Sequence, residues 1–354
     1  MKQSKVLALA GVTLLAAGFL AACSGSKPNT NSGSSNTFNY IYETDPENLN
    51  YLTSSKAATT DLTANVIDGL LENDQYGNLV PSMAEEWTVS PDGKTYTYKL
   101  RKDAKWYTSE GTEYAEVTAN DFAAGFQHML DTQAGLEFLV DGVVVGVHDY
   151  LNGGSYDNVG YKATDDYTLE ITLEKETSYF MSMLTYSCFL PLCKSFYEAH
   201  GGVYGMAEYS EAFNDTAKYT FGKSEDVASQ VYCGPFLLQK LQKDSEINLV
   251  KNENYFDADK VTLDSITWVF DIGEDPVATY NDVVKGVYAT CTLRAANGLL
   301  ERAKTDGNFD KYAYISETEA TSYFGGLNLN RGTYALESGN VASTKTEEQK
   351  ASTV

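Results

Sequence analysis

Five cysteines and three histidines are the side chains from which a nucleophile, a redox pair or a soft-metal site would have to be built. Cys23 stands apart. It ends an apolar run at Leu20-Ala21-Ala22 and is followed by Ser24-Gly25-Ser26. Cys188, Cys193, Cys233 and Cys291 lie far along the chain with no C-x-x-C and no histidine pair nearby, a pattern that argues against zinc. Cys188 and Cys193, in Y-S-C-F-L-P-L-C, could close a disulfide outside the cell or stay as buried thiols, and their spacing leaves both open. His128, His148 and His200 form no H-E-x-x-H, and His128 falls in a helical pattern where a surface or half-buried position is expected. No G-x-S-x-G, P-loop or G-x-G-x-x-G occurs. Ser24–Lys27 satisfies S-x-x-K, but in a polar tract that can fix no base beside it. Acids are too numerous for a glycosidase-like pair to be singled out. The sequence therefore assigns no catalytic residue, no metal ligand and no cofactor, and a secreted, lipid-anchored enzyme is the third-ranked reading.

The surroundings of Cys23 say what its thiol is for. Met1–Lys5 carries Lys2 and Lys5 and no acid, and Val6–Ala22 is apolar apart from Gly11, Thr13 and Gly18. A basic start followed by such a run reads as a secretory signal. A membrane-spanning helix needs ~20 predominantly apolar residues, and no basic cluster follows this one. Leu20-Ala21-Ala22-Cys23 resembles the lipobox of bacterial lipoproteins. That resemblance implies cleavage after residue 22, so that 1–22 is a lipoprotein signal peptide, and diacylation of Cys23 with palmitate-class chains. Each buried methylene contributes about 0.8 kcal/mol, so two such chains hold a protein firmly. Residues 23–38 then comprise the lipidated cysteine and a tether. Ser24–Asn36 (SGSKPNTNSGSSN) is small and polar throughout, with an r.m.s. span of about 20 Å.

Composition bounds the body. The chain has 49 acids against 26 bases, a net charge of −23, and a hydrophobic content of 43%. Such a chain repels phosphate backbones, so nucleic acid is excluded as a partner, and the body itself should not dock on anionic lipid. The apolar content is ample for a core, and the length after the tether suits two domains. The 26 tyrosines read mostly as exposed strand faces, where tyrosine packs well.

Periodicity places the elements. Thr95–Arg101 and Tyr167–Leu173 alternate with period two, and Ser90-Pro91-Asp92-Gly93 has the residues of a type I turn. Thr118-Ala119-Asn120-Asp121 opens a helix in which Phe122, Phe126, Met129 and Leu130 share one face. Glu246–Lys251 and Asp264–Phe270 read as further strands, and Trp87 and Trp106 as core. The mixture predicts an α/β class, α+β in its use of mixed sheets.

The order of several short motifs carries a family resemblance. D-P-E-N-L-N (45–50), D-G-L-L-E-N-D (68–74), G-N-L-V-P-S-M-A-E-E-W (77–87), V-S-P-D-G-K-T-Y-T-Y-K-L-R (89–101), A-K-W (104–106) and T-A-N-D-F (118–122) come in sequence. G-P-F-L-L (234–238), N-E-N-Y-F (252–256) and L-N-L-N (327–330) follow. Together they resemble family 5 of the extracellular solute-binding proteins, and most closely the oligopeptide-binding lipoproteins of Gram-positive ABC transporters. A small insertion near Tyr114–Glu116 departs from the pattern.

The resemblance implies a type II periplasmic-binding-protein-like clamshell. Its first lobe would comprise 39–67 and 178–270, an inserted smaller domain 68–177, and the start of an incomplete second lobe 271–354. It implies a protein anchored by lipid to the extracellular face of the cell membrane, which captures oligopeptides and delivers them to a permease served by ATPase subunits. Ser55, Lys56 and Ala57 should lie at the cleft and offer backbone groups to a peptide; Leu136, Glu137 and Phe138 are the corresponding expectation from the smaller domain. Relatives are much longer, and the acid that receives the peptide's amino terminus belongs to the part without a counterpart here. A truncated chain that binds peptide weakly, with unpaired edges at Asp264–Phe270 and the strands after it, is therefore expected. The runner-up is a surface lipoprotein acting as an adhesin or peptide sensor without transport.

Overall fold

A computed structural model describes residues 12–15, 36–223 and 225–315. Contacts divide the chain into Val12–Tyr314 and a unit of Met1–Gly11 with Ile315–Val354, of which only Ile315 is described. Cys23 and the polar C-terminal stretch lie outside the described residues, as does nearly all of the apolar leader. Val12–Leu15, from within that leader, forms a strand antiparallel to Thr290–Leu293.

Alternating apolar residues build two four-stranded sheets. The labelled elements, in chain order, are β1 (Thr37–Tyr42), α1 (Ala57–Val66), β2 (Ala84–Val89), β3 (Thr95–Leu100), α2 (Ala119–Thr132), β4 (Tyr161–Asp165), β5 (Thr168–Thr172), β6 (Phe236–Gln242), β7 (Glu246–Lys251) and β8 (Ser265–Phe270). One sheet runs β2-β3-β5-β4, antiparallel throughout. Its register sets Tyr98 opposite Leu169 and Tyr96 opposite Ile171, and all four are buried. The period-two reading of both strands is thus realised on one face. The turn before β3 closes with the Gly93 N–H donating to the Ser90 carbonyl at 2.9 Å. Gly93 adopts φ +70°, a conformation that favours glycine.

The other sheet runs β6-β7-β8-β1, with β8 parallel to β1 and the other pairs antiparallel. Ile247, Leu249, Ile266 and Trp268 turn to its buried face. Here an expectation fails. Both edges of Ser265–Phe270 are paired, one to β7 and one to Thr37–Tyr42. Thr37 and Phe38, assigned to the tether from composition, are the residues that complete this edge.

Phe122, Phe126, Met129 and Leu130 of α2 are all fully buried, and Phe126 stacks on Tyr161 of β4 at 4.2 Å. Asp121 accepts the Thr118 N–H at 2.8 Å, as a residue at this helix position should, and also the Trp106 indole N–H and the Lys194 N–H. One acid thereby ties the start of α2 to two distant segments. Trp106 is fully buried as expected, whereas Trp87 is only partly so.

Three further readings change. His128 is fully buried, because the face of α2 next to Met129 is itself covered by Tyr197, Tyr209 and Phe221. Tyrosines such as Tyr51, Tyr98, Tyr161, Tyr197 and Tyr232 are core residues and not exposed strand faces; their rings supply volume, and the hydroxyls of Tyr51, Tyr197 and Tyr232 donate to the Pro191, Val203 and Val227 carbonyls. Cys188, Cys193, Cys233 and Cys291 are free thiols, so the disulfide alternative falls away. Glu113–Glu116, around the insertion, is a short strand paired with Lys105–Tyr107.

Candidate functional site

A cavity of about 650 Å³ opens beside α1. Thr60, Asp61 and Ala64 line it from one face of that helix, at the spacing that puts residues on a common side. Asp68, Glu72 and Ser82 add a polar wall from the segment after the helix, and Leu136, Leu139, Tyr186 and Leu190 add an apolar one. Apolar lining with a few convergent polar groups is the usual make-up of a ligand site.

Asp68 is the best-held of the acids. It is buried, accepts the Tyr255 O–H at 2.6 Å, and lies 3.5 Å from the Ser82 hydroxyl. Burial pushes its carboxyl up to about 7; the Tyr255 and Ser82 bonds and the more distant Arg101 oppose the rise, and Glu72 adds to it. The Arg101 guanidinium is engaged elsewhere, bonded to Asp103 at 2.6 and 3.1 Å and stacked 3.4 Å over the Phe256 ring. Burial also raises Asp61 and Glu72, Glu72 with help from Asp257 against Lys260. The cavity is therefore walled by three carboxyls, with no Lys or Arg among the described residues that line it.

These bonds give the sequence motifs a physical meaning. Tyr255 of N-E-N-Y-F pins Asp68 of D-G-L-L-E-N-D across 187 positions. Gly234 of G-P-F-L-L donates its N–H to the Val66 carbonyl at 2.9 Å, at the end of α1. A Cβ there would lie 2.6 Å from the Val66 carbonyl carbon, so only glycine allows this approach.

The expected site residues divide. Ser55 and Leu136 line the cavity. Lys56 and Ala57 do not; Lys56 caps α1, and its ammonium pairs with Glu47 at 2.6 Å in solvent. Its N–H donates to the Ser54 hydroxyl, and its carbonyl accepts from Thr59 and Thr60. Of the three, Ser55 keeps both backbone groups without a partner among the described residues. Glu137 accepts the Gly135 N–H, and Phe138 is 70% exposed outside the lining. Asp61, Asp68 and Glu72 were not among the expected residues, because a chain with 49 acids offers no reason to choose these three. Among the described residues no cluster of His, Cys, Asp or Glu could hold a metal, and no helix is long and apolar enough to cross a membrane.

Residues 78–341 match the family model described as bacterial extracellular solute-binding proteins, family 5 Middle. The chain is 44% identical over its whole length to the oligopeptide-binding protein SarA of Streptococcus gordonii, covering 50% of that protein. It is 41% identical to the oligopeptide-binding protein AliA of Streptococcus pneumoniae, again covering 50%. It thus spans about half the length of the curated relatives it matches. Among solved structures, the substrate-binding domain of an oligopeptide ABC transporter from Bacillus anthracis superposes with a TM-score of 0.60 at 29% identity, over 72% of this chain and 45% of that one. Listeria monocytogenes OppA bound to peptide superposes with a TM-score of 0.58 at 25% identity, over 72% and 46%.

Proposed function

The chain belongs to family 5 of the bacterial extracellular solute-binding proteins, and on that premise we propose that it is the peptide-binding component of an oligopeptide ABC importer. It captures extracellular peptides, performs no covalent chemistry, and hands its cargo to a membrane permease driven by ATPase subunits. Cys23 carries the lipid that holds it at the outer face of the cell membrane; loss of fatty-acid labelling in Cys23→Ala tests that anchor.

The observation that carries the binding role is the cavity beside α1. Ser55 at its lining has a free backbone N–H and C=O, the groups with which an extended peptide pairs. Asp61, Asp68 and Glu72 supply carboxyl acceptors whose ionisation burial holds back, and a peptide's amino terminus or basic side chain brought among them would favour their charged forms. Leu136 and Tyr186 supply apolar contact.

The relatives matched are about twice as long, and the binding proposed here is that of the 354 residues alone. Calorimetry with a mixed pool of short peptides is expected to give a Kd weaker than about 100 μM, less than about 5.5 kcal/mol of binding. Micromolar affinity would overturn the weak-binding part. No heat with basic peptides at millimolar concentration, or heat unchanged in Asp61→Asn, would overturn the assignment of the cavity.

A further inference from the structure

A second cavity, of about 800 Å³, shares no lining residue with the first. Its two walls differ in chemistry. One is aromatic: Tyr209 and Phe213 of the helix Met206–Asn214, with Tyr219 and Phe221. Phe213 is 53% exposed, and its ring lies 5.5 Å from that of Tyr219 and 5.6 Å from that of Tyr209. The other wall is polar and rich in amides, with Asn48, Asn50, Gln133 and Asn214 alongside Asp131.

We propose that this cavity binds a neutral saccharide. A half-exposed ring such as that of Phe213 offers apolar surface to the C–H face of a pyranose. The amide nitrogens of Asn50, Gln133 and Asn214 each have one partner, His128, Met206 and the Ser210 carbonyl; an amide nitrogen carries a second hydrogen and the amide oxygen accepts, which matches the paired hydroxyls of a sugar edge. Asn48 accepts the Asn50 N–H at 2.8 Å through Oδ1, and its Nδ2 has no partner among the described residues. That nitrogen is ready for a ligand oxygen.

Other ligand classes fit less well. A wholly apolar ligand would leave the amide wall unpaired. An organic cation would want a free carboxylate among the rings. Asp131 is not free: one oxygen accepts the Tyr150 O–H and the other the Gly205 N–H at 2.7 Å. An anion meets a chain of net charge −23, and the one lysine in the lining, Lys223, is bonded to the Thr216 carbonyl at 3.0 Å.

The test uses the full 354-residue chain, with lactose and N-acetylglucosamine as probes and glucuronate and choline as controls. Ligand-observed NMR is expected to show saturation transfer to at least one of the two neutral sugars, with a Kd of about 1 mM. Phe213→Ala and Asn48→Ala should each weaken it about tenfold, with thermal melts confirming that both variants fold. Asp61→Asn, in the other cavity, should leave it unchanged. Choline binding with the sugars silent would make the site a cation cage, and a preference for glucuronate would make it an anion site. Silence from every probe, or sugar binding untouched by both variants, would equally overturn the assignment.

Discussion

Asp68 lies in the wall of the acid-lined cavity, and His128 packs against Tyr209 and Phe221, which line the aromatic one. Both are buried titratable groups, and each is kept neutral at the pH where it would ordinarily ionise. The means differ. Asp68 has hydroxyl donors from Tyr255 and Ser82, so its charged form is partly provided for. The His128 Nε2 lies 2.9 Å from the Asn50 amide nitrogen, and its Nδ1 has no partner. Burial pushes its pKa down to about 3, and nothing nearby compensates. A buried titratable group given hydrogen-bond donors is held with ionisation within reach, whereas one packed among rings without them is not.

The two groups also pull stability in opposite directions. As pH falls below 6.5, an unfolded chain protonates His128 while the folded one refuses the proton until about 3. Stability is therefore lost on acidification, by about 1.4 kcal/mol per pH unit. Asp68 behaves inversely. Its folded value is raised to about 7 from 3.8, so its contribution is fully present below 3.8 and is lost as pH rises from there to 7. Between 3.8 and 6.5 the two slopes cancel, and removing either partner should tilt the profile.

The largest tilt belongs to His128→Gln. Measured by urea melts, its stability relative to the parent should improve by about 3 kcal/mol as pH drops from 6.5 to 4, whatever its cost at neutrality. An unchanged difference would mean that His128 ionises freely in the folded state. Asp68→Asn should show the mirror image, gaining about 2–3 kcal/mol on the parent between pH 5 and 8. Tyr255→Phe sharpens the contrast by removing only the donor. It should cost about 1–3 kcal/mol at pH 8, where Asp68 is ionised, and less at pH 5. An equal cost at both values would mean that the hydroxyl serves packing and not the carboxylate. Lys56→Ala is the smallest step. Its pair with Glu47 is solvent-exposed, so thermal melts should move by no more than about 0.5 kcal/mol equivalent, and neither pH slope should change.

Much of the fold was legible because its signals are local. The faces of β3 and β5 follow from period-two alternation, and the buried face of α2 from spacing of three and four. The His128 environment was not legible, since a helical pattern says which residues share a face but not whether a second layer covers it. The three cavity acids were hidden for another reason: what distinguishes Asp68 from its many neighbours in kind is a bond to Tyr255 far along the chain. Ser55, expected from motif position, lines the cavity, while both backbone groups of Lys56 are used at the start of α1, which sequence cannot show.

By itself, then, the sequence determined β3 and β5 of one sheet, β7 and β8 of the other, the helix α2, the ordered motifs that mark the family, and the acidic character of the chain. These depend on residue type and spacing over a few turns or strands. Tertiary structure alone decided which acids share a cavity, which tyrosines are core, that Thr37–Tyr42 closes the edge of β8, and that four thiols stay free. Each of those rests on contacts between residues far apart in the chain, whose burial and pairing are set only when the layers pack.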